Sequence, residues 1–283
     1  MSVHYFEIEI NGERRVSVSK FEPQRSNAKS IVISSATGVI RKYYTKFAAH
    51  FSILGFTVYT FDYSGIGNSE AHTIKKNTCN LNDWAKDQAE VLAFAKTTCP
   101  EHKVILLTHS IGGQLIGLNP NIGLADAIIM VCSQSGYWKL FKGYSRLRMY
   151  AFWNVMIPIT TPLFGYFPAK ILGLFENLPK HVTYQWRKWG VKPDYMLSEF
   201  NTSDLYFKNV KCHVLSLSFP RDQFAPKLAV DWLTDRFENA TVDRQHLKPE
   251  ALNIDDVQHF GFFRKRFKTS LWKLAEDWIE KHT

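Results

Sequence analysis

A serine at position 110 stands where a fold could present a nucleophile. It lies in the segment 109–113, whose sequence is HSIGG, directly after the apolar run 104–107. This order predicts a buried strand that turns sharply into a helix, with the hydroxyl of Ser110 at the apex of the turn. Because a serine beside glycines occurs by chance in many chains, the turn alone does not establish a nucleophile.

Two further residues supply the groups that activate a serine hydroxyl. Asp222 follows the apolar run 214–217, and His259 comes after a predicted strand near 244–247. An imidazole can take the proton from a hydroxyl, and a carboxylate can fix the tautomer of that imidazole and stabilise its charged form. Since each residue follows a separate strand, the sequence predicts a Ser-His-Asp triad in the chain order Ser110, Asp222, His259.

Other acids are less suitable partners for the histidine. Residues 133–136 (SQSG), at the end of another predicted strand, include no acid. Asp255 and Asp256 lie so few residues before His259 that we do not expect them to reach across to its ring. Taken singly, Asp222 could cap a helix and His259 could be a core histidine, but their joint occurrence favours the triad.

Acyl transfer also needs rigid backbone donors for the oxyanion. Ile111 N–H, directly after the serine at the start of a predicted helix, is the first candidate. The second is expected after the strand 30–35, where Gly38 permits a tight turn. We predict that Val39 N–H is this donor, with Gly38 N–H as the alternative, although the loop could also be an ordinary turn.

The elements that must position these groups alternate along the chain. Asn11-Gly12 predicts a tight turn between two antiparallel strands. Apolar and β-branched runs predict the strands, and spacings near 3.6 residues predict the helices, one of them capped by Asn82. The predicted strands are 3–10, 15–20, 30–35, 56–61, 104–107, 124–131, 214–217 and 244–247, and the predicted helices are 43–54, 82–94, 226–237 and 263–281. Such alternation predicts an α/β fold with a mainly parallel sheet, in which sites form at the carboxyl ends of strands.

Composition narrows the possible functions. The chain has 283 residues, 45% of them hydrophobic, which suffices for one large α/β domain. Its four cysteines are far apart, so neither a disulfide framework nor a metal site is predicted, and the start of the chain does not resemble a signal peptide. We therefore expect a cytoplasmic protein. The formal charge of +9 favours anionic surfaces or ligands, but the basic residues are scattered and no nucleic-acid motif accompanies them.

The segment 137–207 separates the predicted strands 124–131 and 214–217. It contains four of the eight tryptophans, and residues 137–200 carry nine Lys and Arg against three Asp and Glu. Its uncharged stretch 149–169 is long enough to cross a bilayer, but its prolines would interrupt a membrane helix. We predict a helical cap inserted into a core formed by residues 1–136 and 208–283. The cap could be a simple packed lid, or it could accept a lipophilic acyl ester or dock on an anionic membrane.

Several motifs together resemble the α/β-hydrolase superfamily, and within it serine hydrolases related to serine aminopeptidase and to monoacylglycerol lipase-like enzymes. The resemblance covers about 30–69, 104–131 and 211–263. It rests on the sequences ATG (36–38), FDYSGIGNS (61–69), HSIGGQ (109–114) and HFGFF (259–263), and on Asp222 followed four residues later by Pro226. In two places the chain departs from the family pattern: Thr108 replaces a usual glycine before the nucleophile, which predicts a slightly looser turn, and Ser64 replaces a usual arginine.

The resemblance implies an α/β-hydrolase fold with an N-terminal antiparallel hairpin, a sheet of the eight-stranded type and a cap. It implies hydrolysis of a carboxylic ester at Ser110 through an acyl-enzyme, with no cofactor and no metal. Acyl transfer or peptide hydrolysis on the same triad are alternatives, as is a binding protein of this fold without turnover. The substrate would be a small-molecule acyl ester, and the resemblance leaves the oligomeric state open.

Overall fold

A single eight-stranded sheet organises the chain in the computed structural model, which describes residues 1–10, 12, 14–70 and 73–283. The strands lie in the order β1-β2-β4-β3-β5-β6-β7-β8. They are β1 (Ser2–Ile10), β2 (Arg14–Glu22), β3 (Lys29–Ser34), β4 (Thr57–Phe61), β5 (Lys103–His109), β6 (Ala127–Val131), β7 (His213–Ser218) and β8 (Thr241–His246). The predicted α/β architecture is confirmed.

The sheet is antiparallel at one edge and parallel elsewhere. Strands β1 and β2 form the predicted N-terminal hairpin, and β2 also pairs antiparallel with β4. Asn11, predicted in the turn of this hairpin, lies outside the described residues. All neighbouring pairs from β4 to β8 are parallel, so the carboxyl ends of β3, β5, β6, β7 and β8 meet at one edge of the sheet. We call this the carboxyl edge.

Helices cover both faces of the sheet. They are α1 (Thr45–Ile53), α2 (Leu81–Thr98), α3 (Ile111–Gln114), α4 (Gly143–Ala151), α5 (Ile157–Phe164), α6 (Lys180–Gly190), α7 (Lys227–Thr234) and α8 (Lys273–His282). One apolar cluster packs α2 on one face, and a second packs α1 and α8 on the other. The central strands are buried on both faces, which is why they are continuous apolar runs such as 104–107.

Two predicted helix boundaries are wrong. Asn80, not Asn82, caps α2: its side chain accepts from Asn82 N–H and Asp83 N–H, while the Asp83 carboxylate accepts from Asn80 N–H. This reciprocal capping box satisfies amide groups that the start of a helix leaves free. The last helix, predicted from residue 263, begins as an α-helix only at Lys273, because short 3₁₀ turns and one π-helical turn occupy 261–272.

The segment 137–207, called the insertion below, connects β6 to β7. Helix α4, a π-helical turn (Phe152–Met156) and α5 follow one another without a break, and α6 packs against them. Trp153 anchors this arrangement: it is fully buried, and its indole N–H donates to Gly136 O at 2.9 Å. Within the described residues, no helix is both long enough and apolar enough to span a membrane.

Candidate active site

Ser110 occupies the sharp turn between β5 and α3. Its φ of 53° and ψ of −113° are unusual for a residue with a side chain. The turn is tight because the two glycines after Ile111 leave no room: a Cβ at Gly112 would lie 2.7 Å from Ser34 O, and one at Gly113 would overlap Ser133 Oγ. The strained turn lifts a nearly buried serine to the carboxyl edge of the sheet.

Thr108 fits beside this turn because Gly113 has no side chain. Its hydroxyl lies 3.3 Å from Ser133 Oγ, and a Cβ at Gly113 would approach Thr108 Oγ1 to 3.1 Å. Ser110 N–H donates to Val131 O at 3.0 Å, so the turn remains tied to β6. The larger residue is therefore accommodated beside β6, and the turn keeps its bond to that strand.

Asp222 and His259 form a buried pair across two loops. The loop after β7 carries the aspartate and the loop after β8 carries the histidine, and His259 Nδ1 lies 2.9 Å from Asp222 Oδ2. The other carboxylate oxygen accepts from the amides of Phe224 and Ala225 at 2.8 and 2.9 Å. Burial alone would raise the pKa of Asp222, but the His259 ring and these two amides hold that pKa below its usual value.

The serine shares a cavity with this pair. Ser110 and His259 both line it, and the Ser110 hydroxyl donates to Gln134 Oε1 at 3.5 Å. Among the described residues no hydrogen bond joins Ser110 to His259 directly. Catalytic hydrogen bonds often tighten only around a bound substrate, so this looser arrangement is compatible with proton transfer between the two.

Gln134 is a site residue that the sequence did not reveal. Besides facing Ser110 Oγ, it donates from Nε2 to Phe224 O at 3.1 Å, which ties the end of β6 to the loop that carries Asp222. Residues 133–136 include no acid that could orient His259, but they do include this amide. The available signal was a polar side chain immediately after a buried strand.

His109 is the second residue that was missed. It is fully buried, and its Nε2 lies 3.0 Å from His259 O, while Tyr44 OH lies 2.9 Å from its Nδ1. Since a carbonyl oxygen can only accept, Nε2 carries the proton and Nδ1 accepts from the tyrosine. The Tyr44 oxygen accepts in turn from Ala36 N–H at 2.9 Å. One chain of hydrogen bonds therefore links the loop after β3 to the backbone of His259.

Strained backbone concentrates around these loops. Seven residues other than glycine have positive φ in the described part of the chain, and four of them lie at the loops that hold the site: Ser110, Cys132, Arg221 and Gln258. Such conformations cost free energy and persist where the surrounding structure enforces them, which is common at active sites.

Cys132 completes a group of three potential metal ligands with Asp222 and His259. Ligand atoms of the three residues lie within 4.8 Å of one another, and the thiol is buried. Burial and the neighbouring Asp222 charge raise the pKa of the Cys132 thiol well above its usual value, which keeps it protonated. Metal binding requires a thiolate, so this group fits a metal poorly. A second such cluster, formed by Cys99, Glu101 and His102, follows the end of α2.

The predicted oxyanion donors differ in their surroundings. Ile111 is the first residue of α3, where amides lack a partner within the helix. Val39 N–H instead donates to Ala36 O at 3.1 Å in a turn, and Val39 lines a neighbouring cavity together with Gly38. Thr37, from the same loop, lines the cavity that holds Ser110. The Val39 amide is therefore engaged within its own turn, and Thr37 is the neighbour from this loop that lines the cavity of Ser110.

The cavity is apolar and partly built by the insertion. Its volume is about 340 Å³. Most of the side chains around it are apolar or aromatic, and Arg148 is the one Lys or Arg among the described residues that line it. The insertion contributes Met149, Phe152, Met156, Leu174, Phe175 and Trp186, and the core adds Phe224 and Phe260. The exposed apolar wall favours a ligand with hydrocarbon surface.

Ser64 stands where the family pattern has an arginine. A guanidinium from β2 forms a hydrogen bond with its side chain. Arg14 Nη1 donates to Ser64 Oγ at 3.1 Å and to Asp87 Oδ1 at 2.9 Å. The buried carboxylate also accepts from Ser64 N–H at 2.7 Å. A positive charge therefore stabilises this turn although its own sequence lacks one.

Comparison with known proteins agrees with this architecture. Residues 26–119, about a third of the chain, match the family model of serine aminopeptidase, S33. No curated protein matches the chain by sequence. Among solved structures, a soluble variant of monoglyceride lipase from Saccharomyces cerevisiae has a TM-score of 0.70 at 13% identity, covering 100% of this chain and 96% of that one.

Two other solved structures show a similar likeness. A thermostable carboxyl esterase from Bacillus coagulans has a TM-score of 0.68 at 12% identity, covering 100% and 99% of the two chains. A proline iminopeptidase from Mycobacterium smegmatis has a TM-score of 0.62 at 14% identity, covering 99% and 98%. At such identities the likeness concerns the fold. With its hairpin, its parallel strands and its serine turn after β5, the chain has the α/β-hydrolase fold.

Proposed function

We propose that the protein is a serine hydrolase that cleaves carboxylic esters with an apolar acyl group. One observation carries the proposal: Ser110 and the hydrogen-bonded pair of Asp222 and His259 meet at one apolar cavity. These groups supply a nucleophile, a base and a carboxylate that orients the base. A lipophilic ester is supported by the aromatic and aliphatic lining.

In the proposed reaction, Ser110 Oγ attacks the ester carbonyl while His259 Nε2 takes the hydroxyl proton. Asp222 holds the Nδ1–H of the ring and stabilises its positive charge. Collapse of the tetrahedral intermediate breaks the bond to the alcohol, which leaves with the proton from His259. Water then attacks the acyl-enzyme by the same route, and the acid is released as Ser110 regains its proton.

For the oxyanion we propose the amides of Ile111 and Thr37. The Val39 amide, expected from the sequence, is engaged with Ala36 O. Thr37 lines the cavity, and the hydrogen bonds from Ala36 through Tyr44 hold its loop in place. Fixed backbone donors stabilise developing charge without reorganisation.

We further propose that the insertion acts as a cap and docks on an anionic membrane to collect substrate. Helix α4 and the π-helical turn after it line the cavity with Met149, Phe152 and Met156. The same helical stretch exposes Val155, Ile159 and Leu163 at four-residue intervals, along with Tyr144, Leu147 and Tyr150. The basic excess of residues 137–200 complements anionic lipid. A cytoplasmic location remains a prediction from the cysteine pattern.

The test is labelling and turnover at Ser110. We expect wild-type protein to hydrolyse p-nitrophenyl esters and to react with a fluorophosphonate, and Ser110→Ala to lose both, with kcat lower by about 10⁴-fold or more. Ser203→Ala, an exposed serine of the insertion, is the matched control and should leave both unchanged.

Other outcomes would select the alternatives. Wild-type protein that neither turns over any ester nor reacts with the fluorophosphonate would contradict the hydrolase proposal and favour a binding protein. Labelling of Ser110 with turnover only of peptides, or only in the presence of an acyl acceptor, would instead favour a peptidase or an acyltransferase.

A further inference from the structure

Arg148 places a positive charge in the wall of an otherwise apolar cavity. It lies on α4 and is half-buried. Its guanidinium carbon lies 4.4 Å from the centre of the Phe224 ring, and Nη1 donates to Gln223 Oε1 at 2.8 Å. The other terminal nitrogen, Nη2, is buried and has no hydrogen-bond partner among residues 1–10, 12, 14–70 and 73–283.

The charge of Arg148 also lacks a counter-ion. Within the described part of the chain, no Asp or Glu oxygen lies within 4.0 Å of its guanidinium. Its partners are a neutral amide and an aromatic face. A buried N–H without an acceptor is costly, and a charge removed from water is costly unless it is paired. An anionic group of the ligand would therefore be the best partner for this guanidinium.

Phe224 connects this charge to the reacting groups. The centre of its ring lies 5.3 Å from that of His259, and Arg148 stacks on the same ring. Only one aromatic side chain therefore separates the guanidinium from the imidazole. An anion held by Arg148 would lie inside the same cavity as Ser110, close to the scissile bond.

We propose that Arg148 binds a carboxylate of the substrate, so that the preferred substrate is an ester of a dicarboxylic acid. This inference rests on the proposed esterase function. A carboxylate matches one guanidinium in charge and supplies the negative charge that Arg148 lacks among the described residues. The apolar lining contacts the hydrocarbon between the carboxylate and the scissile carbonyl.

Pairs of p-nitrophenyl esters test the proposal. Each pair is a mono-p-nitrophenyl ester of a linear dicarboxylic acid of six to eight carbons, with its distal carboxylate either free or capped as the methyl ester. At pH 8 we expect wild-type kcat/KM to favour the free carboxylate by about 10- to 100-fold, the range of a hydrogen bond to a charged group. Arg148→Gln should remove this preference through KM, and Arg148→Lys should retain part of it.

Arg146→Gln is the matched control. Arg146 lies two residues away on α4, is exposed and stacks on Trp138. We expect this variant to keep the wild-type preference. Equal loss in both variants would show a general effect of cap charge and overturn the proposal, and equal slowing of free and capped esters by Arg148→Gln would overturn it in favour of a packing role.

Failure of the esterase proposal can be distinguished from failure of the carboxylate subsite. If capped esters are hydrolysed well and the free carboxylate brings no advantage in wild type, the carboxylate subsite is refuted and the esterase stands. If neither ester of a pair is hydrolysed and Ser110 is not labelled by a fluorophosphonate, both proposals are refuted.

Discussion

The side chains at the carboxyl edge of the sheet and those of the insertion make different kinds of contact. At the carboxyl edge, buried polar groups are joined by short hydrogen bonds, such as those of His109, Asp222 and His259. The insertion instead turns apolar side chains toward the cavity and others, such as Ile159 and Leu163, toward solvent. The first region holds the side chains of Asp222 and His259 in fixed positions, whereas the second presents apolar surface to the cavity and to solvent.

This difference separates the chemistry of the site from its choice of substrate. Hydrogen bonds are directional, so a chain of them fixes both the position and the tautomer of a ring. Apolar contacts have no preferred direction and accept many shapes. Changes at the carboxyl edge should therefore affect the rate of reaction, and changes in the insertion should affect which ligands and surfaces are bound.

After Ser110→Ala, the largest effect is expected from Asp222→Asn. The amide would still approach His259 Nδ1, but it would no longer stabilise the charged ring or select its tautomer. We expect kcat for a p-nitrophenyl ester to fall by about 10³- to 10⁴-fold with little change in KM. Steady-state kinetics at pH 8 measures this.

Asp255→Asn is the control for that variant. Asp255 is close to His259 in sequence, and its exposed carboxylate faces Arg266. Its substitution should change kcat by less than about twofold. A loss as large as that of Asp222→Asn would show that the acid had been assigned to the wrong loop.

A smaller effect is expected on stability, through His109. Burial, and then the charge of His259, lower the pKa of His109 to about 3. Since an unfolded histidine has a pKa near 6.5, the unfolded chain binds a proton that the folded chain excludes, and stability is lost as pH falls below about 6.5. Between pH 8 and pH 5 this amounts to about 2 kcal/mol of unfolding free energy.

His109→Gln should remove that share of the acid sensitivity while retaining a donor toward His259 O. Urea unfolding at pH 8 and pH 5 measures the difference for wild type and variant. His181→Gln, at an exposed position on α6, should leave the wild-type difference unchanged. If His109→Gln shows the full wild-type loss at pH 5, the ring is protonated in the folded protein and the proposed hydrogen-bond chain is refuted.

The smallest effect is expected on binding to anionic membranes. Leu163 is 76% exposed on α5, and Leu163→Ser removes apolar surface without altering charge. We expect wild-type protein to sediment with phosphatidylglycerol vesicles at low salt, and the variant to bind about three- to tenfold more weakly. Raising the salt concentration should weaken both.

Leu228→Ser provides a comparison outside the insertion. Leu228 is 49% exposed on α7, and its substitution should leave vesicle binding unchanged. Absence of wild-type binding at low salt, or equal weakening by both substitutions, would exclude the insertion as a docking surface.

Local sequence signals predicted most of the sheet and the order of the site residues. The strands of the parallel part are buried on both faces, so their apolar runs are strong signals, as 104–107 shows. The sequence HSIGG predicted a sharp turn from strand to helix at Ser110, and Ser110 lies between β5 and α3 with a φ of 53°. Boundaries were less certain: Asn80 and Asn82 are both suitable caps, and only the reciprocal bond with Asp83 distinguishes them.

Long-range contacts could not be predicted in the same way. Gln134 and His109 acquire their positions from partners on other strands and loops, and Arg14 reaches Ser64 from 50 residues away in sequence. No local pattern encodes such pairs, because polar residues of these types occur equally well at an exposed surface. Val39 illustrates the limit: the sequence did not indicate that its amide would donate to Ala36 O in a turn.

The sequence by itself determined the α/β alternation and the presence of a serine, an aspartate and a histidine after three separate strands. Only the tertiary structure decided that Asp222 and His259 are paired, that Ser110 opens into the same cavity and that Arg148 lines that cavity with no counter-ion among the described residues. The physical reason is the distance along the chain over which each interaction acts. Periodicity and turn chemistry act over a few residues, whereas burial and hydrogen bonding at the carboxyl edge depend on segments that folding brings together.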